Sequence, residues 1–104
     1  MKQTTVEILK ARLDAGEKVN LVDVREDHER MDFNIGGLHH KIGAIQAMDT
    51  EPLEDWKEDE IVFYCRSGNR SGQACLILET MGYKNVVNLA GGMLAWEEKF
   101  GRQA

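Results

Sequence analysis

Residues 61 to 81 read IVFYCRSGNRSGQACLILETM. Ile61-Val62-Phe63-Tyr64 is an apolar run bounded by acidic residues on one side and by a polar, glycine-containing segment on the other. This pattern predicts a buried strand. Cys65-Arg66-Ser67-Gly68-Asn69-Arg70 predicts a tight polar loop. From residue 71 to 81 a helix is expected, with Ala74, Ile77, Leu78 and Met81 on its apolar side and Gly82 as its stop. In open α/β sheets, ligands bind outside the carboxyl ends of the strands. Cys65 falls at that place, directly after a strand and just before a helix.

The flanking sequence repeats the alternation. Towards the N-terminus, Thr4 and Glu7 stand at capping-box spacing, and Val6, Leu9 and Leu13 recur at helical spacing up to Gly16. A helix over residues 5–15 follows. Residues 19–24 (VNLVDV) predict a buried strand, and residues 25–32, densely charged, a short solvated helix. Asn34-Ile35-Gly36-Gly37 predicts a turn. Residues 38–42 predict a brief strand, residues 44–48 one helical turn, and residues 49–60 an acidic solvated loop containing Pro52 and Trp56. Beyond Gly82, residues 85–89 predict a strand, Ala90-Gly91-Gly92 a turn, and residues 93–100 a closing amphipathic helix. Alternating strands and helices imply an α/β domain with a mostly parallel sheet and helices on both faces. No internal repeat, linker or low-complexity tract interrupts the pattern.

The 104 residues fit one domain, 1–104. With 42% hydrophobic and 30% charged residues, ten Gly and one Pro, the composition disfavours disordered, collagen-like and membrane classes. No apolar run approaches the ~20 residues of a membrane span. The N-terminal residues lack a signal-peptide apolar core, so a cytoplasmic location is expected. A net charge of −5 argues against nucleic acid as the partner, because phosphate contacts need a basic footprint. No apolar surface stripe is evident, and a monomer is expected.

Two cysteines are too few for a disulfide scaffold, and no C-x-x-C pair suggests zinc or a thioredoxin-type motif. Their contexts differ. Cys75 lies on the predicted helix, three residues before Leu78, and is expected to be core filling. Cys65 is surrounded by Arg, Ser, Gly and Asn. The helix N-terminus adds partial positive charge, Ser67-Gly68-Asn69 let the backbone N–H groups curl around one centre, and Arg66 and Arg70 add two full charges. Each effect favours thiolate over thiol. The loop also supplies the local basic site that an anionic substrate would need on an acidic protein. His28 is expected to be solvated. His39 and His40 are adjacent on a strand and so point to opposite faces, which does not suit a metal site. Trp56 and Trp96 are expected to be packing anchors.

Two chemistries suit a thiolate in an anion cradle: phosphoryl transfer and sulfur transfer. Cysteine-dependent phosphatases share a C-x5-R loop. Here Cys65 to Arg70 is C-x4-R, and Ser71 stands at the C-x5 position. A cradle shorter by one residue fits a sulfur atom on Cys65 better than a tetrahedral phosphate.

Four pieces in order carry a family resemblance. They are Leu21-Val22-Asp23-Val24-Arg25-Glu26; Phe33-Asn34-Ile35-Gly36-Gly37; Cys65-Arg66-Ser67-Gly68-Asn69-Arg70-Ser71; and Gly82-Tyr83-x-x-Val86-x-Asn88-Leu89-x-Gly91-Gly92-Met93-x-Ala95-Trp96. Over nearly its whole length the chain resembles a rhodanese domain. The family often has His where Asn34 stands and Pro where Gly36 stands. The resemblance implies a rhodanese-like α/β fold with a mostly parallel five-stranded sheet, helices on both faces, and a six-residue loop holding a catalytic cysteine. It implies sulfurtransferase activity of the thiosulfate type: sulfane sulfur passes from thiosulfate or a persulfide donor to a thiol or cyanide through a Cys65 persulfide. The acceptor thiol could belong to thioredoxin or glutathione. Arg66, Ser67, Gly68, Asn69, Arg70 and Ser71 are the expected substrate-binding residues, with Arg66 meeting the donor and Arg70 bracing the loop. Asp23 and Arg25 end a strand that the family places near this loop, and they are read as a supporting charge pair. No metal or organic cofactor is needed. Two alternatives stand beside this reading: a sulfur carrier or binding module that does not turn over small donors, and a phosphatase or arsenate reductase.

Overall fold

The computed structural model describes residues 1–102. Among them, five parallel strands form one sheet in the order β1-β5-β4-β2-β3. They are β1 (Lys2–Thr4), β2 (Leu21–Asp23), β3 (Leu38–His39), β4 (Glu60–Tyr64) and β5 (Asn85–Leu89). The helices are α1 (Val6–Asp14), α2 (Asp27–Asp32), α3 (Ile42–Gln46), α4 (Asn69–Thr80) and α5 (Gly92–Phe100), and a 3₁₀ helix spans Glu51–Trp56.

The period of two along β4 divides the core. Ile61 and Phe63 point to one face, where they meet Ile42 and Ile45 of α3, Leu53 of the 3₁₀ helix, and Ala74, Cys75 and Leu78 of α4. Val62 and Tyr64 point to the other, against Val6 and Leu9 of α1 and Met93 and Trp96 of α5. Both faces of β4 are covered, which accounts for its uninterrupted apolar run. The expected α/β architecture with a parallel five-stranded sheet is the one observed.

Several boundaries differ from the sequence reading, each for a tertiary reason. β1 is a strand because β5 pairs with it, through Lys2↔Val87, Gln3↔Asn88 and Thr4↔Leu89. It carries no apolar alternation of its own and lies at the sheet edge. Thr4 is therefore consumed by the strand, and the cap of α1 moves one residue on: Thr5 Oγ accepts the Ile8 N–H at 3.2 Å. β2 and β3 are shorter than expected. The segment after β3 still follows its neighbour, with His40 N–H on the Asp23 carbonyl and Ile42 N–H on the Val24 carbonyl, and this starts α3 at Ile42 rather than Ala44. The acidic segment 49–60 is not simply solvated. Its 3₁₀ helix buries Leu53 completely, and Trp56 packs on the same core, so a burial of about 1.5–3 kcal/mol holds an otherwise polar stretch against the sheet. Finally, α4 begins at Asn69, two residues earlier than the apolar spacing suggests.

Candidate active site

β4 is the central strand, and Cys65 follows its last residue. Gly68 then takes φ +97, a left-handed conformation that costs glycine little, and caps α4. This turn brings three donors to one sulfur. The N–H of Gly68 lies 3.2 Å from Cys65 Sγ, the N–H of Ser71 3.4 Å and the hydroxyl of Ser71 3.3 Å. The loop is held open from behind by α5. Met93 N–H donates to the Cys65 carbonyl and Leu94 N–H to the Arg66 carbonyl, each at 2.9 Å. First-turn N–H groups of a helix have no intrahelical acceptor, so the loop carbonyls cap α5 while α5 turns those carbonyls away from the sulfur. The close approach needs Gly92, where a Cβ would collide with the carbonyls of Cys65 and Arg66.

Both cysteines are free and buried, yet they behave oppositely. Burial pushes the Cys65 thiol up, but the Ser71 hydroxyl and the N–H groups of Ser71, Gly68 and Ser67 outweigh it and hold the pKa below the ordinary thiol value. Cys75 has burial without such donors and is pushed up to about 12. Cys65 is thus poised to ionise and Cys75 is not. No guanidinium among the described residues donates to Cys65 Sγ; the donors are amides and a hydroxyl. Arg70 favours the thiolate through its charge alone, across space.

The two arginines have separate fates. Arg70 lies in the first turn of α4 rather than in the loop, and its guanidinium reaches across to α2. There it grips Glu29 with two hydrogen bonds of 2.7 and 2.8 Å. This pairing holds Glu29 at about 2, well below the usual carboxylate value, and raises Arg70. Arg66 is exposed and forms no ion pair among the described residues. It lines a cleft of about 430 Å³ with Arg25, His28, Glu29, Leu94 and Arg102. Ser67 and Asn69 are exposed beside it, and Ser71 is fully buried under the sulfur.

The profile of the Rhodanese-like domain matches residues 5–99. This chain belongs to the rhodanese-like family. The domain is 41% identical over 99 residues to "Putative sulfurtransferase YtwF" of Bacillus subtilis, spanning 93% of this chain and 91% of that one. It is 42% identical over 94 residues to a sulfurtransferase of Allochromatium vinosum, spanning 86% and 82%. In solved structures it superposes on the human single-domain sulfurtransferase TSTD1 with a TM-score of 0.77, at 28% identity over 95% of this chain and 97% of that one. The rhodanese-like domain protein of Staphylococcus aureus superposes with a TM-score of 0.78, at 31% identity over 92% and 91%. Sulfurtransferase activity is supported at the level of the family.

In this rhodanese-like domain, Asp23 and Arg25 form a buried unit one strand away from Cys65. Asp23 accepts from Arg25 N–H, Nε and Nη2 at 2.9 to 3.0 Å, and Arg30 approaches the same carboxylate at 3.5 Å. Arg25 Nη2 also donates to the Phe33 carbonyl, and Arg30 to the carbonyls of Gly36 and Gly37. The pair supports the 33–37 turn, and no bond runs from it to the 65–70 loop. Arg25 nevertheless lines the cleft beside Arg66. In that turn Asn34 Oδ1 accepts the Gly36 N–H, a local Asx turn that replaces the His and Pro common in the family. His39 Nε2 meets the Arg25 carbonyl at 2.7 Å and His40 Nε2 the Asp49 carbonyl at 2.6 Å. His28 lines the cleft. Trp96 is buried, edge-on to Phe100 at 5.1 Å.

Three residues of the site lie outside the sequence reading. Glu29 sits in a charged helix that looks merely solvated, and nothing in its sequence marks it as the partner of Arg70. Gly92 reads as part of a turn, not as the gap that admits the loop carbonyls. Asn88 did carry a signal: it is a polar residue on the buried strand Val86-Val87-Asn88-Leu89, and its side chain reaches Ser71 and the Gly68 carbonyl.

Proposed function

We propose that this domain is a sulfurtransferase that carries sulfane sulfur on Cys65, taking it from thiosulfate or a persulfide and passing it to a thiol or to cyanide. The observation that carries the reading is the convergence of the Gly68 and Ser71 N–H groups and the Ser71 hydroxyl on one sulfur at the end of β4. In the first half-reaction the Cys65 thiolate attacks the outer sulfur of thiosulfate. The S–S bond of the donor breaks, sulfite departs with its electron pair, and Cys65 holds an anionic persulfide. N–H groups of residues 66–71 receive that terminal charge as preorganised donors receive an oxyanion. In the second half-reaction an acceptor thiolate or cyanide attacks the terminal sulfur and the Cys65 thiolate is released, a double displacement with ping-pong kinetics. Arg66, free of an internal partner, meets the anionic donor. Arg70, bound to Glu29, holds the first turn of α4 in place. A monomer acting in the cytoplasm on thiosulfate, with a small or protein thiol such as glutathione or thioredoxin as acceptor, fits the acidic surface and the two free cysteines.

Intact mass after incubation of the reduced protein with thiosulfate tests the reading. A gain of one sulfur in wild type, absent in Cys65→Ser and reversed by cyanide, is expected. No gain with thiosulfate or with a low-molecular-weight persulfide would overturn it.

A further inference from the structure

Ser71 has one hydroxyl proton and two acceptors for it. Its Oγ lies 3.3 Å from Cys65 Sγ and 2.5 Å from Asn88 Oδ1. The Asn88 amide cannot turn round to relieve this. Its Nδ2 donates to the Gly68 carbonyl at 3.0 Å and to Gln3 Oε1 at 3.3 Å, so Oδ1 is the atom left facing Ser71. Asn88 is itself buried, on the face of β5 that looks towards α4. We propose that Asn88 is a positioning residue for the nucleophile, whose amide oxygen competes with Cys65 Sγ for the single proton of the Ser71 hydroxyl.

The two protonation states of Cys65 then need two hydroxyl orientations. With the thiol protonated, its S–H turns to Ser71 Oγ, and the hydroxyl proton rests on Asn88 Oδ1. When the thiol ionises, the charged sulfur becomes the stronger acceptor, and the hydroxyl swings from Asn88 to Sγ. Ionisation therefore forfeits the Ser71–Asn88 bond. Asn88 stabilises the thiol and keeps the pKa from falling as far as the loop amides alone would take it. Other charges around the site do not duplicate this. Arg70 of α4 is held by Glu29 of α2, with Glu26 beyond it, and Arg66 is exposed. Cys75 of α4 stays protonated up to about pH 12. β5 and β1 contribute only Asn88 and Gln3, and α5 its backbone N–H groups, none of which titrates. The assignment concerns thiol and thiolate alone, so it stands or falls apart from sulfur transfer.

The test is the pH midpoint of Cys65 carboxamidomethylation by iodoacetamide, located by peptide mass, in the full chain. In Asn88→Ala the hydroxyl has no competitor, and the midpoint falls by about half a unit, roughly threefold more thiolate below the midpoint. In Asn88→Asp the carboxylate holds the hydroxyl proton and adds a negative charge, and the midpoint rises by a unit or more. In Ser71→Ala the midpoint rises, and adding Asn88→Ala moves it no further. A purely structural role would loosen the loop and raise the midpoint in both Asn88 variants, with or without Ser71. That result, or no shift in either variant, overturns the assignment. If Asn88→Ala fails to fold, the rise from wild type to Asn88→Asp is compared with the rise from Ser71→Ala to Ser71→Ala/Asn88→Asp; the second is expected to be smaller, because only the added charge acts when no hydroxyl is left to capture, and equal rises overturn the assignment.

Discussion

Glu29 holds Arg70 through both carboxylate oxygens, at 2.7 and 2.8 Å, across the gap between α2 and the first turn of α4. The same Glu29 accepts the N–H of Glu26 and so closes the capping box of its own helix. One carboxylate thereby fixes a helix start and occupies the cation of the first turn of α4. Arg66 is left as the loop cation without an internal partner. Replacing Arg66 by Ala is expected to raise KM for thiosulfate about tenfold with a smaller change in kcat, the loss of one charge-assisted contact. Glu29→Gln releases Arg70, and a several-fold lower KM for the same anion is expected. Steady-state kinetics on both variants decides whether the donor sees one cation or two.

Acid should expose the same pair. The Glu29 pKa in the fold lies near 2 against 4.5 for the free side chain, because Arg70 donates to it. A carboxylate depressed in this way adds stability that is fully present above its unfolded value and is lost as the pH falls from about 4.5 towards 2. The pair is partly solvated, so the contribution is about 1–2 kcal/mol. Urea unfolding midpoints of wild type and Glu29→Gln are expected to differ at pH 6, to draw together below about pH 4.5 and to converge only near pH 2.

Asp23 is completely buried and is the counter-charge to Arg25. Asp23→Ala leaves that guanidinium unpaired in the interior and is expected to cost about 3–5 kcal/mol in chemical denaturation. Because the pair is tied to the Phe33 carbonyl and not to the 65–70 loop, the alkylation midpoint of Cys65 in the folded variant should stay near that of wild type. A shift of a full unit would place Asp23 in the thiol's electrostatics.

Gly92 has φ +51 and faces the carbonyls of Cys65 and Arg66. An alanine there is strained, and its Cβ would push the loop off the N–H groups of Met93 and Leu94. Gly92→Ala is expected to lose about 2 kcal/mol or more and to load sulfur poorly even where it folds. Thermal unfolding and the intact-mass assay read the two effects separately.

Cys75, with its pKa pushed up to about 12 by burial, should resist iodoacetamide at pH 8 in the native protein while Cys65 reacts. Peptide mass mapping with and without denaturant checks this. Labelling of Cys75 in the native state would show that α4 opens.

The parallel α/β sheet, the position of Cys65 at the end of a strand, and the loop-to-helix transition were legible because each rests on local chemistry. The apolar run of β4 and the Ser-Gly-Asn turn act within a few residues. Cys75 and Leu78 were likewise legible as core from helical spacing. β1 was not, since a three-residue edge strand with one buried side chain has no periodicity and exists only through its pairing with β5. The 3₁₀ helix was hidden because its acidic residues mask the one buried anchor, Leu53.

The site divides in the same way. Sequence by itself determined where Cys65 sits and which amides surround it, because Cys65, Gly68 and Ser71 lie within seven residues of one another and the turn between them is set by their own backbone preferences. The direction of every long side chain was decided by tertiary structure. Arg70 stands five residues from Cys65 yet is spent on Glu29, forty-one residues away. Asn88 meets Ser71 only because β5 lies beside β4, and the loop carbonyls find their donors only because α5 begins there. Such pairings depend on which surfaces the sheet brings together, and no spacing along the chain encodes them.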